Sequence, residues 1–262
     1  MDYKKNYKFY FLGQSGIFLQ CDNINIIIDP YLSNSVAEQY GGNLERKFPA
    51  PVKLFESQKI DFVFITHGHL DHCDPVSLNL IADKNPDIII FGPNSICSIL
   101  SGFEKLKKRF IPVTANEIGL TDGLIVNVIP AAHTEIVLDE NGFHECVGYV
   151  FKTSHKCVYH SGDTIPHSDI VAALSSLAPF DMVFLPCNER NYYREGDGIV
   201  GNMSVREMFQ FAVEIDAKTV CPIHWDMFPA NSTFPEEIEL VYRLSNLPFK
   251  MKMPAIGDSI CI

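Results

Sequence analysis

The chain reads as an α/β protein in which two β-sheets are flanked by helices. Three observations carry this reading. Strand-sized runs of β-branched and other apolar residues recur along its length. Helical segments with recognisable caps lie between them. Strands dominate early and then alternate with helices in both halves, the order expected of sheets with helices outside.

In chain order, residues 8–12, 16–21 and 24–28 read as successive strands, and residues 34–51, with two glycines and two prolines, as a long loop. Strands follow at 61–65 and 87–91, then at 124–129, 148–153, 156–160, 182–185 and 219–221. A first helix starts with Asp74 as N-cap and Pro75 in the first helical position, with Val76, Leu80 and Ile81 on one face. A second, from Asn94, would bury Ile96, Ile99, Leu100 and Phe103. A third opens with a capping box, Ser204 with Glu207 three residues on. Val205, Met208, Phe209 and Ala212 keep its helical period through Ile215. No internal repeat, low-complexity tract or long charge run interrupts the pattern, so residues 1–262 are expected to form one domain of two fused halves.

Composition narrows the function. With 262 residues, 47% hydrophobic and 20% charged, the chain can bury a substantial core and is not disordered. Lys plus Arg total 21 against 32 Asp plus Glu, a net charge of -11. That balance argues against the broad basic footprint needed for long nucleic acid, though not against one small anionic substrate. The eight cysteines fall singly, mostly in apolar contexts, with no C-x-x-C pair, and read as small buried hydrophobes. The first six residues lack the apolar run of a signal peptide, and no apolar stretch reaches the roughly 20 residues that span a bilayer. A cytoplasmic location without a membrane role is expected.

Most of the nine histidines are gathered. The segment Thr66-His67-Gly68-His69-Leu70-Asp71-His72 follows the 61–65 strand and places four ligand-type side chains within six residues. Neutral imidazole and carboxylate suit Zn, Mn or Fe, and a turn leaving a strand end can aim them at two neighbouring centres. Three later apolar strands each end in one such residue: His133, Asp163 and His224. Singly, each is better explained by backbone hydrogen bonding. With the cluster they make seven ligands, enough for two divalent ions if one carboxylate bridges, as in two-metal hydrolytic sites.

This motif, with His133, Asp163 in Ser161-Gly162-Asp163-Thr164, and His224, resembles the metallo-β-lactamase superfamily. The segments Tyr159 to Thr164, Asn188 to Arg194, Gly201-Asn202-Met203 and His224 to Phe228 resemble its L-ascorbate-6-phosphate lactonase-like branch, with departures at Glu189, Asn191 and Trp225. The resemblance implies a four-layer αββα sandwich: two mixed β-sheets, helices on both outer faces, and the site along the edge between the sheets. It implies that His67, His69 and His133 hold one metal ion, that Asp71, His72 and His224 hold the other, and that Asp163 bridges them. Asp29, after the 24–28 strand, sits where the family carries an acid that orients a ligand histidine through its other ring nitrogen. The branch implies Mn, and the superfamily at large Zn.

The chemistry expected from these residues is hydrolysis by a hydroxide held between the two ions, opening a lactone or a small phosphorylated ester. Asp71 or a metal-bound water would supply the leaving group's proton. Arg190, Tyr193 and Arg194, with Tyr192 a weaker candidate, are expected to bind the anion of a small phosphorylated metabolite. Asn202, Asp226 and the remaining histidines, His144, His155, His160 and His167, read as structural, with His155 in an exposed hairpin turn. Two alternatives remain: hydrolysis of a small phosphodiester, and a non-catalytic metal-binding module. The family resemblance also allows a homo-oligomer.

Overall fold

The computed structural model describes residues 7–55 and 58–262. Residues 1–6, on which the reading of the N-terminus rests, lie outside the described part. The chain opens with an antiparallel meander, β1 (Tyr7–Gly13), β2 (Gly16–Cys21) and β3 (Ile24–Ile28), followed by α1 (Ser35–Tyr40). Parallel crossovers then build β4 (Phe62–Phe64), α2 (Pro75–Lys84), β5 (Ile89–Pro93), α3 (Cys97–Leu100), α4 (Glu104–Lys107) and β6 (Phe110–Val113).

The second half repeats the plan. An antiparallel run of β7 (Glu117–Thr121), β8 (Leu124–Pro130), β9 (Val147–Lys152) and β10 (Cys157–His160) leads into parallel crossovers. These comprise α5 (Ser168–Ser175), β11 (Met182–Pro186), α6 (Tyr192–Gly196), α7 (Val205–Glu214), β12 (Thr219–Ile223), α8 (Pro235–Leu244) and β13 (Lys250–Met251). The last strand, β14 (Ser259–Cys261), returns to pair antiparallel with β1. Two seven-stranded sheets result, ordered β14-β1-β2-β3-β4-β5-β6 and β13-β12-β11-β10-β9-β8-β7.

Alternation along the strands explains the layering. On β4, Phe64 points between the sheets while Val63 points outward under α2. Between the sheets, Phe64 meets Tyr149 and Phe151 of the opposite sheet at 4.9 and 5.1 Å between ring centroids, and Phe9 meets Phe184 at 4.7 Å, all edge-on. Outside the first sheet lie Leu78, Ile81, Ile96 and Leu100, and outside the second Ile170, Met208, Phe209 and Ile238. Sheets covered on both faces need continuously apolar strands, which is why the strand runs were legible. The expected α/β architecture of two mixed sheets with outer helices is the one observed.

The differences have local causes. The 34–51 stretch read as a loop contains α1 and a 3-10 turn, Gly42–Leu44; α1 is one and a half turns long and buries only Ser35 and Val36, too little to show a period. Helix α2 buries Ser77, Leu78, Ile81 and Ala82, leaving Val76 and Leu80 at 56% and 43% exposure, so its inward face is offset from the one expected. The helix from Asn94 is a 3-10 turn followed by the single turn α3, so Phe103 falls past its end and is exposed. Strands β6, β7, β13 and β14, which the sequence pattern does not show, are the four edge strands and have few buried residues. The eight cysteines are free; Cys97 and Cys261 are exposed, against the expectation of burial. Among the described residues no helix is long and apolar enough to cross a membrane.

Candidate metal centre

The seven ligand-type residues come from four loops at the carboxyl ends of β4, β8, β10 and β12, the edge where the two sheets meet. The loop after β4 carries His67, His69, Asp71 and His72, and the others deliver His133, Asp163 and His224. Two backbone features let these loops converge. Gly162 has φ +61, and a Cβ there would stand 2.7 Å from Thr66 Cβ, so only glycine lets the Asp163 turn pack on the histidine loop. His224 adopts φ +57, costly for a non-glycine residue, and its N–H is held by the carbonyl of Gln14, 2.8 Å away.

The structure brings all seven residues together. Ligand atoms of His67, His69 and His133 lie within 4.8 Å of one another, as do those of Asp71, His72 and His224, and those of His67, His72 and Asp163. Asp163 stands between the first two groups: Oδ2 is 3.2 Å from His224 Nε2 and 3.9 Å from His133 Nε2, and Oδ1 is 3.4 Å from His72 Nε2. Such a donor set fits divalent cations. Nε2 of His67, Nε2 of His72 and Oδ1 of Asp163 are buried without a hydrogen-bond partner, a condition costing about 1–3 kcal/mol per group unless a cation or donor satisfies it. Imidazole and carboxylate together take Zn, Mn or Fe.

Asp29 and Thr66 aim two of the rings. Asp29, wholly buried, faces His72 Nδ1 through Oδ2 at 2.8 Å. The same carboxylate accepts from the Thr66 N–H at 2.8 Å and from its hydroxyl at 2.6 Å. Thr66 Oγ1 also lies 3.1 Å from His67 Nδ1. Both histidines therefore present Nε2 to the cluster. Gln14, in the turn between β1 and β2, donates through Nε2 to Asp71 Oδ2 at 2.7 Å and lies 3.1 Å from His224 Nε2. Sequence reasoning missed Thr66 and Gln14. The only local signals, a polar residue at the mouth of the histidine motif and a glutamine between glycines in Gly13-Gln14-Ser15-Gly16, do not point to the distant partners Asp29 and Asp71.

Charge divides the cluster into two kinds of histidine. Burial opposes ionisation of Asp163 and Asp71, yet the rings of His72 and His224 outweigh it and hold both carboxyls well below the usual carboxylate range. Burial likewise opposes charge on His224, but Asp163 and Asp71 win and raise it to about 9; His72 is raised in the same way by Asp163, Asp71 and Asp29. Burial and the neighbouring histidines push His67 well down, and burial takes His133 to about 4 against the pull of Asp163. His67 and His133 thus offer free lone pairs at neutral pH, while His72 and His224 must release protons to a cation. Asp71, expected as a proton donor to the leaving group, rests as a carboxylate.

The remaining residues fall into structural roles. His160 Nε2 lies 2.8 Å from the Ser15 carbonyl, and its Nδ1 accepts from the Gly162 N–H. His167 caps α5, His144 pairs with Thr114, and His155 is exposed in the turn before β10. Asp226 accepts from the Gln14 N–H, and burial raises its carboxyl to about 6. Asn202 bonds Asn188.

The expected anion-binding residues need correction. A cavity of about 670 Å³ opens on Asp71, Asp163 and His224, and Arg190, Tyr193 and Arg194 do not line it. The Arg190 guanidinium is bound to Glu207 at 2.6 Å and to the Asn202 carbonyl at 2.9 Å. Arg194 is held by the carbonyls of Asn188, Glu189 and Ser232. Both guanidiniums pin backbone, the first at the start of α7 and the second around α6, whereas Tyr192 and Tyr193 project from the surface at 83% and 80% exposure. What this segment gives the cavity is its next stretch, residues 197–200.

Comparison with known proteins agrees with this architecture. A family model described as a β-lactamase superfamily domain matches residues 24–225. The chain is 28% identical over 240 residues to a metal-dependent hydrolase of Staphylococcus aureus (strain MRSA252), covering 88% of this chain and 91% of that protein. Among solved structures, a metallo hydrolase from the archaeon Ignicoccus hospitalis KIN4/I superposes with a TM-score of 0.74 at 20% identity, covering 98% of each chain. The isothiocyanate hydrolase from Delia radicum gut bacteria superposes at 0.75 with 18% identity over 97% of this chain and 98% of that one. At these identities the structural likeness speaks for the fold alone.

Proposed function

This chain belongs to the metallo-β-lactamase superfamily, and from that premise we propose that it is a metal-dependent hydrolase that opens a lactone or cleaves a related small ester. The observation that carries the reading is the convergence of seven ligand-type side chains at the foot of a cavity, with His67, His72, Asp163 and His224 buried, Asp71 and His133 half-buried and His69 exposed. Two divalent ions are proposed to sit there, one with His67, His69 and His133, the other with Asp71, His72 and His224, and Asp163 shared. When bound, such ions lower the pKa of water to about 7 and polarise the bond to be cleaved.

The chain's own residues do the rest. Asp29 and Thr66 fix the tautomer and aim of His72 and His67. Gln14 holds Oδ2 of Asp71, which stands at the cavity edge as a carboxylate. Held well below the usual carboxylate range, Asp71 stays ionised at neutral pH and would serve as a ligand and hydrogen-bond acceptor at the cavity edge.

The test is elemental analysis of protein purified without chelator, followed by assays with lactones and small cyclic phosphodiesters. Two ions per chain and metal-dependent lactone opening are expected, with both lost in Asp163→Ala. Full metal content and turnover in that variant would sink the shared-carboxylate assignment. Cleavage of cyclic diesters but not lactones would move the function to a phosphodiesterase. No turnover on either would leave a non-catalytic metal-binding module.

A further inference from the structure

The wall of the cavity above the metal cluster carries a property that its floor does not. Among the described residues, no lysine or arginine lines it. Away from the ligand-type residues its lining is mainly apolar, with Val36, Leu44, Leu70, Ile99, Val200 and Phe228, though Gln39, Tyr40 and Asn231 also reach it. Among the described residues, the one charged group on this wall away from the ligand-type residues is the carboxylate of Asp197. At about 670 Å³ it can take a small organic molecule whole.

We propose that the part of the substrate held by this wall is uncharged and apolar, so that the substrate is a hydrophobic ester or lactone and not a phosphorylated metabolite. The inference rests on the hydrolase reading above and names its substrate class. Phosphate held away from a metal is most often bound by arginine forks, lysines or open helix N-termini. None of these is offered here. Arg190 and Arg194 are engaged elsewhere. The start of α2, which adjoins the cluster, is closed by its own cap: the Asp74 carboxylate takes the N–H groups of Val76 and Ser77. A phosphate on the wall would instead meet Asp197, a like charge.

Charge in the cluster does not reverse this. Two divalent ions bring about four positive charges, but Asp71, Asp163 and the buried Asp29 oppose them. Little surplus is left to reach a phosphate several ångströms away on an apolar wall. An alkyl or aryl group on that wall instead gains by leaving water, in proportion to the apolar area it buries.

The experiment uses the metal-loaded full chain and two matched series. One is neutral, from acetate through butyrate to octanoate esters and from short to long γ-alkyl lactones. The other carries a phosphate at the end of the same chain. The expected result is kcat/KM rising about fourfold per added methylene in the neutral series until the cavity is full, with the phosphorylated series slower throughout. Val200→Asp should flatten the dependence on chain length. Turnover that is flat with chain length, or faster for the phosphorylated partners, overturns the proposal while leaving the hydrolase reading intact. If nothing is turned over, binding of a long-chain alkyl amide, followed by calorimetry, decides separately. Binding that Val200→Asp weakens would support the apolar wall and defeat the ester and lactone reading, whereas absence of binding would defeat both.

Discussion

Asp29 Oδ2 lies 2.8 Å from His72 Nδ1, and neither side chain reaches solvent. Once a cation displaces the Nε2 proton, this contact would keep the remaining proton on Nδ1, with Nε2 facing Asp163 and Asp71. Asp29→Asn keeps the shape but replaces the carboxylate with an amide that can no longer fix this tautomer. The ion at Asp71, His72 and His224 should bind about 10–100-fold more weakly, while the ion at His67, His69 and His133 is less affected. Metal titration by calorimetry would read the two steps, with circular dichroism to check the fold. Equal affinities in variant and parent would remove Asp29 from this role.

Gln14 acts on the neighbouring ligand. Its amide donates to Asp71 Oδ2 at 2.7 Å from a buried turn with φ +56, a conformation kept although glutamine disfavours it. Gln14→Ala should free the carboxylate to rotate and lower affinity for the same ion about tenfold. Gln14→Glu should cost more, because it sets a carboxylate against a carboxylate. Metal stoichiometry at limiting metal is the readout, and a Gln14→Glu protein that loads both ions as the parent does would contradict the geometry.

How much of this was legible beforehand depended on the kind of signal. The ligands were readable because strand ends repeat one pattern, an apolar run and then His133, Asp163 or His224, and because His67 to His72 are contiguous. The capping box of α7 was readable for the same reason: Ser204 and Glu207 act within one turn, and both of its hydrogen bonds are present. Thr66 and Gln14 were not, since their partners Asp29 and Asp71 lie 37 and 57 residues away. Arg190 misled because arginine near a motif suggests an anion, when its anion was Glu207 on the chain itself. The cavity wall was hidden for a related reason. It is assembled from α1, the 42–44 turn and residues 197–200, none of which carries a periodic pattern.

The titration of the cluster gives a prediction with a definite sign. His224 is raised to about 9 from 6.5, and His72 is raised in the same direction. In the metal-free protein the stability this contributes is complete below about pH 6.5 and is lost as pH rises through about 9. Asp71 and Asp163, depressed, contribute in the complementary window and lose it only in acid. Metal must displace the protons on His72 and His224, so its affinity should climb with pH, by up to about tenfold per unit for each proton released. The thermal stabilisation conferred by metal should therefore grow between pH 6 and pH 9, while the chelated protein weakens over the same interval. Scanning calorimetry with and without chelator at several pH values would show it. A stabilisation independent of pH would mean that these two rings are already neutral when metal arrives.

Arg190 separates a structural reading from a binding one. Its guanidinium joins Glu207 at 2.6 Å and the Asn202 carbonyl at 2.9 Å, tying the start of α7 to the segment after β11. Both partners of the ion pair are partly exposed, at 31% and 38%, so the pair itself is screened and contributes no more than about 1 kcal/mol. Glu207 does not depend on it for its own position, because it also accepts from the Ser204 N–H at 2.8 Å. Arg190→Ala should thus lower Tm by about 2–4 °C and leave KM unchanged for neutral and phosphorylated substrates alike. Arg190→Lys should recover part of the stability through Glu207 but lose the second bond to Asn202, because one ammonium cannot reproduce the planar fork. A raised KM confined to anionic substrates, with Tm unmoved, would instead require the side chain to leave Glu207 and turn toward the cavity.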